Sequence, residues 1–187
     1  MKKRWLSLLL VFILVVSLLP MEAKAAMSGT CGDNLTWTLD DNGTLTISGT
    51  GKMDDYSRYA DGVHAPWRDY RVRIRSIVLN PGITEIGVHS FFNCFLVQSV
   101  DIPDSVTHIH DTAFNNCFNL TTIRLSDNLV SLGENVFYNC PIKTLVVPDS
   151  LTDVHENAFV GIDFSARILV GENNPALATD STGVLYN

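Results

Sequence analysis

Cys94, Cys117 and Cys140 recur at one constant interval, and Ile162 follows in the fourth place. Thiols in such a column can pair as disulfides or hold a metal. Stacked strands lie about 4.8 Å apart, within disulfide reach, and an exported chain would permit oxidation. Three in one column cannot all pair with one another, however, and an apolar residue takes the fourth place. The column reads most simply as small buried side chains. Zinc finds no paired ligand motif here. His108 and His110 invite a second metal reading, with His155 at the repeat position of His110. A zinc site needs three or four converging ligands, whereas this column continues through Gly87 and Gly133 beside Glu85 and Ser131, a solvated surface. Asp40-Asp41-Asn42-Gly43 lacks the alternating ligand spacing of a calcium loop. Serines and histidines are scattered without a nucleophile elbow or a phosphate-cradling loop. No catalytic residue, metal ligand or cofactor is assigned, and a secreted hydrolase is the most remote reading.

The cysteine spacing belongs to a larger unit. From Ile74 to Ile162 one segment is written four times: IRSIVLNPGITEIGVHSFFNC, VQSVDIPDSVTHIHDTAFNNC, LTTIRLSDNLVSLGENVFYNC and IKTLVVPDSLTDVHENAFVGI. Ile77, Val100, Ile123 and Leu145 keep the same interval, shortened by one position at the last step, and so do Phe91, Phe114, Phe137 and Phe159. Such a period predicts a stacked solenoid, in which no unit buries its apolar side alone. In each copy, positions equivalent to Leu120, Ile123 and Leu125 point inward by the period-2 rule of a strand. A Pro or polar residue (Asn80, Pro103, Ser126, Pro148) ends that strand. A second short strand and a short helical or tight turn complete the coil. Phe91, Phe114, Phe137 and Phe159 should stack as an internal aromatic spine. Asn93, Asn116 and Asn139, with Gly161 in the fourth place, should satisfy backbone groups in the turn between coils.

Residues 26–73 do not fit the repeat. Leu35 to Leu39 and Leu45 to Ser48 alternate apolar and polar around an Asn-Gly pair, which predicts a β-hairpin. With Met53, Tyr56, Tyr59 and Trp67 it should cap the open end of the first coil. The solenoid, residues 74–187, should be right-handed with about five coils, the last atypical from Gly171 onward. The chain ends at Gly183-Val184-Leu185-Tyr186-Asn187, an abrupt stop that reads as a short or truncated product, and an uncovered last coil would favour end-to-end self-association.

Alternation places Val78, Asp101, Arg124, Val146 and Leu169 in one column on the outer face of the first sheet. Asp101 and Arg124, on adjacent strands, should pair. Apolar residues exposed in a row mark a contact surface, although single exposed apolar residues are normal.

Lys2, Lys3 and Arg4, the apolar run Trp5 to Leu19, Pro20 and Ala23-Lys24-Ala25 have the order of a secretory signal peptide over residues 1–25. Fifteen apolar residues are short of the roughly 20 that span a bilayer, so no membrane span is expected after cleavage. Cys31 lacks the preceding aliphatic residue of a lipid-attachment box. Cleavage removes four basic residues and Glu22, leaving 9 basic and 19 acidic residues and a net charge of −10. Nucleic acid and anionic membrane surfaces are therefore poor partners.

The repeat closely resembles the BspA-like, or Treponema pallidum-type, leucine-rich repeat. Val100-Asp101-Ile102-Pro103, Val106-Thr107-His108-Ile109 and Ala113-Phe114-Asn115-Asn116-Cys117 carry the resemblance, with partial matches in the other copies. Ser28-Gly29-Thr30-Cys31-Gly32-Asp33-Asn34-Leu35-Thr36-Trp37 and Ala65-Pro66-Trp67 resemble the leader module preceding such repeats in Gram-positive gut bacteria. The resemblance implies a leucine-rich repeat solenoid, secreted or displayed on the bacterial surface, that binds a protein or glycan in adhesion without catalysis. The alternative is a structural spacer within a longer surface protein.

Overall fold

Alternating side chains around an Asn-Gly turn make the first paired element a hairpin. The computed structural model describes residues 27–162, 167–179 and 185–186. The signal segment expected at 1–25 lies outside them, as do Ala166, Gly183, Val184 and Asn187. β1 (Met27–Gly32), β2 (Leu35–Leu39) and β3 (Thr44–Gly49) pair antiparallel, with Trp37 opposite Ile47 and Leu39 opposite Leu45. Gly43 turns the hairpin at a φ of 84°, a left-handed conformation that costs glycine little.

The hairpin then becomes part of the solenoid wall. After β3 come the two-residue β4 (Gly51–Lys52), a 3-10 turn at Arg68–Tyr70, and the strands of the first coil, β5 (Ser76–Leu79) and β6 (Ile83–Ile86). β3 lies parallel to β5, with Leu45 beside Ile77 and Ile47 beside Leu79, and β4 lies parallel to β6. The N-terminal module thus lays β3 on the first sheet and β4 on the second, and covers the first coil by imitating one. Its own outer edge is closed by β2 and β1, which removes an exposed parallel edge.

Three further coils repeat the pair of strands: β7 (Ser99–Asp101) with β8 (His108–Ile109), β9 (Thr122–Arg124) with β10 (Ser131–Leu132), and β11 (Thr144–Val147) with β12 (Asp153–Val154). β13 (Arg167–Val170) pairs with β11 over its full length, and β14 (Ala178–Thr179) pairs antiparallel with β15 (Leu185–Tyr186). Four coils therefore have both strands. A fifth contributes only β13 among the described residues, and the fifth strand of the second sheet is β4 from the N-terminal module.

Inward positions are filled as the period predicts. Ile77, Val100, Ile123 and Leu145 join Ile86, Ile109 and Leu132 in one continuous core. Each coil closes through tight turns rather than a helix. In them Cys94, Cys117 and Cys140 donate their backbone N–H to the carbonyls of Phe91, Phe114 and Phe137, three residues earlier.

The coils are not joined equally on all sides. The second sheet is continuous in the order β12-β10-β8-β6-β4. On the turn side, Phe91 N–H reaches Ala113 O at 2.8 Å and Asn93 N–H reaches Asn115 O at 3.0 Å. The first sheet is broken into β1-β2-β3-β5 and β7-β9-β11-β13. β5 and β7 lie side by side, and among the described residues no backbone hydrogen bond joins them.

Candidate binding face

The interior columns come first, because they fix where the outer residues stand. Phe91, Phe114 and Phe137 are fully buried, and their rings stack with centroids 5.2 Å and then 6.1 Å apart. Trp67 extends the stack, 5.8 Å from Phe91 and tilted by 18°, and its indole N–H donates to Ser90 O at 2.8 Å. The repeat alignment misses Trp67 because it precedes the first copy. The available signal is its place in the chain, one period and one further position before Phe91. Phe159 differs from the expected spine: it is only half-buried, and no described ring stacks on it.

Cys94, Cys117 and Cys140 are buried free thiols. Cys117 Sγ donates to Phe91 O at 3.3 Å and Cys140 Sγ to Phe114 O at 3.1 Å. Burial pushes the Cys94 thiol up to about 12, and burial is also the main cause that raises Cys117 well above its ordinary value. In the N-terminal module, burial first and the nearby Asp54 second push Cys31 up to about 12. Such thiols stay protonated and unreactive.

The asparagine column works differently from the sequence expectation. Asn93, Asn116 and Asn139 have φ of 64°, 62° and 59°, and Gly161 in the same register has 78°. Left-handed backbone is what these positions share, and asparagine and glycine tolerate it best. The amides bond one another rather than the backbone: Asn116 Nδ2 donates to Asn93 Oδ1 at 3.0 Å, and Asn139 Nδ2 to Asn116 Oδ1 at 2.8 Å.

On the outer face of the first sheet, Val78, Val146 and Leu169 are 40%, 59% and 40% exposed. Asp101 and Arg124 pair as expected, Nε to Oδ1 at 2.6 Å. Arg124 is tied further, through Nη1 to Asp104 Oδ1 at 3.0 Å and through Nη2 to Ile102 O at 3.1 Å. The Asp104 carboxyl is held below its usual range, first by the backbone N–H of Asp127 and then by Arg124. Arg124 therefore clamps neighbouring coils, and most of its donors are already in use. Val78, Asp101 and Arg124 line a groove of about 450 Å³ with Pro81, Pro103 and Asp104. The groove lies where β5 and β7 part. Val146 and Leu169 are neighbours across the β11–β13 pair and continue the row.

His155 is exposed, as the sequence implies, whereas His108 and His110 are half-buried. His110 Nε2 lies 2.8 Å from Glu85 Oε2, and His108 Nδ1 lies 2.8 Å from Thr107 Oγ1. Gly87 is not a surface position, since a Cβ there would meet the Asp54 carbonyl oxygen. Among the described residues no group of three His, Cys, Asp or Glu side chains is placed to hold a metal. No described helix is long and apolar enough to cross a membrane.

A second exposed column was legible but not singled out. Phe95 and Phe118, one period apart, stack with centroids 5.6 Å apart and planes 5° from parallel; Phe118 is 53% exposed. Pro141 follows one period further on, and a shallow groove of about 270 Å³ opens between Phe118 and Pro141.

Parallel short-stranded coils with these inward columns define a leucine-rich repeat solenoid. The family model described as BspA type leucine-rich repeat region (6 copies) matches residues 70–164, and the chain belongs to that family. Comparison with curated proteins gives no match. Among solved structures, a leucine-rich repeat protein from Eubacterium ventriosum is 29% identical with a TM-score of 0.66, covering 88% of this chain and 49% of its own. This chain thus spans about half the length of that relative. The Treponema pallidum leucine-rich repeat protein is 22% identical with a TM-score of 0.51, over 74% of this chain and 70% of its own. The pneumococcal vaccine antigen PcpA is 15% identical with a TM-score of 0.53, over 87% and 53%. These last two share the fold.

Proposed function

We propose that the chain is a non-catalytic binding module, exported and used at or beyond the bacterial surface, whose first-sheet outer face engages a protein or glycan in adhesion. The exposed apolar neighbours Val146 and Leu169 on β11 and β13, with Val78 at the groove between β5 and β7 on the far side of the Asp101–Arg124 pair, carry this reading. These side chains are left partly open to water, and exposed apolar surface on an acidic protein is stabilised when a partner covers it. Export rests on the order of charged, apolar and small residues over 1–25. The ion cluster of Arg124 with Asp101 and Asp104 gives the face a fixed polar rim beside its apolar row, as binding interfaces have.

The test is surface plasmon resonance of the exported chain against arrayed mucin-type glycans and purified extracellular proteins. Val146→Asp combined with Leu169→Asp should lose at least tenfold in affinity for whichever probe binds, with unchanged thermal unfolding. Full affinity in that variant would remove the face from the function.

A further inference from the structure

Between the N-terminal module and the first coil lies a pocket of about 120 Å³ whose lining includes Arg58, Arg68, Arg71, His89 and Ser90. Three arginines line it on a chain that is otherwise strongly acidic, and the Arg58 guanidinium also lies over the Tyr59 ring, 5.0 Å from its centroid. Among the described residues, none of the three forms an ion pair. Arg58 donates to the Tyr59 hydroxyl at 2.8 Å, and Arg71 Nε donates to Arg68 O at 2.7 Å. The Arg68 guanidinium and the outer nitrogens of Arg71 are left without a described partner.

His89 adds an independent sign. Its backbone is left-handed, with φ of 53°, and its Nδ1 lies 3.0 Å from the Tyr56 carbonyl. A carbonyl only accepts, so Nδ1 carries the proton, and Nε2 of the neutral ring is a lone pair. That Nε2 is buried and has no hydrogen-bond partner. A buried polar atom without a partner is costly unless a ligand completes it.

We propose that this pocket is an oxyanion site, taking one carboxylate, sulfate or phosphate group of a small ligand against Arg58, Arg68, Arg71 and His89. Guanidinium forks match such groups in geometry as well as charge. At roughly 10–15 Å³ of such volume per water, the pocket has room for the acidic group and part of the small molecule that carries it. The site lies apart from the sheet face, so either can fail alone.

Bound oxyanion should also draw a proton onto His89, turning Nε2 into a donor. Burial, with Arg58 assisting, holds this ring below its ordinary 6.5, whereas the Tyr56 carbonyl and Asp111 oppose the shift. Phe92 packs its ring edge-on at 5.4 Å, and Asp69 is near enough to act on Arg71 without lining the pocket. Affinity should therefore rise as pH falls.

Isothermal titration calorimetry of the chain at low ionic strength tests this with sodium sulfate, sodium phosphate and sodium glucuronate as probes. At least one should bind saturably, and the probe that binds tells a tetrahedral oxyanion from a sugar carboxylate. Arg68→Gln should weaken it at least tenfold, and Arg71→Lys, which keeps the charge and removes the fork, should also weaken it. His89→Asn, suited to the left-handed backbone, should abolish the gain between pH 7.5 and 5.5 seen with the best probe among sulfate and glucuronate. Near-UV circular dichroism of Trp67 checks folding, and Val146→Asp should leave the titration unchanged. Absence of saturable binding by all three probes, or binding indifferent to both arginine changes, would overturn the proposal.

Discussion

The turn wall and the first sheet are made by the same repeat, yet between the first two coils the wall holds and the sheet parts. On the wall, His89, Phe91 and Asn93 each donate a backbone N–H to the next coil, and beneath them Phe91 stacks on Phe114. On the sheet, β5 and β7 face one another without a described backbone bond, and a groove opens at that place. The wall thus ties these two coils by backbone bonds and stacked rings at a place where the first sheet has no ladder between them. A solenoid can be bonded along one side and open a cleft on another.

Truncating the wall tests this division most severely. Phe114→Ala should cost about 3–5 kcal/mol in denaturant unfolding, the range for a fully buried aromatic. Phe159→Ala, at a half-buried site, should cost clearly less. Equal losses would mean that the stack is not what holds the coils.

The wall should also fail in alkali. Cys31 and Cys94 are raised to about 12 from an ordinary 9.0. Raised acids keep their protons in the folded chain while the unfolded chain loses them, so their contribution is complete below pH 9 and is lost progressively as pH rises towards 12. Melting temperature followed from pH 8 to 11 should fall, and Cys94→Ala should flatten the fall while lowering the starting value.

Backbone and side chain can be separated at the asparagine column. Asn116→Ala should cost about 1–2 kcal/mol for left-handed backbone alone, before its two amide bonds are counted. Asn116→Gly keeps the conformation and loses only the bonds, so it should be the milder change. Equal losses in the two variants would place the stabilisation in the amide ladder.

The sheet side should respond least. Arg124→Ala removes exposed ion pairs that water and salt screen, so it should cost less than any of the changes above. The loss should shrink in 1 M sodium chloride. A loss as large as that of Phe114→Ala would show that the clamp, rather than the wall, spaces these coils.

Much of this was legible because a strand alternates and a solenoid repeats. Ile77, Val100, Ile123 and Leu145 had to point one way, Val78, Asp101, Arg124, Val146 and Leu169 the other, and the cysteines had to fall in a column. Phe159 obeyed the same spacing and still stands half-exposed, because burial needs cover from the next coil as well as an inward direction. The Asn-Gly turn announced the hairpin but not its parallel docking on β5, since the interval from Leu45 to its partner Ile77 is no multiple of the period. Arg58, Arg68 and Arg71 lie in the segment with the weakest pattern, so no periodicity marks them.

The sequence by itself determined the coil, its period and which side chains face in, because those follow from local alternation multiplied four times. Only the tertiary structure decided where neighbouring coils bond and where they part, and which charges find partners. Those outcomes depend on distances between residues far apart in the chain, set by the packing of the whole stack.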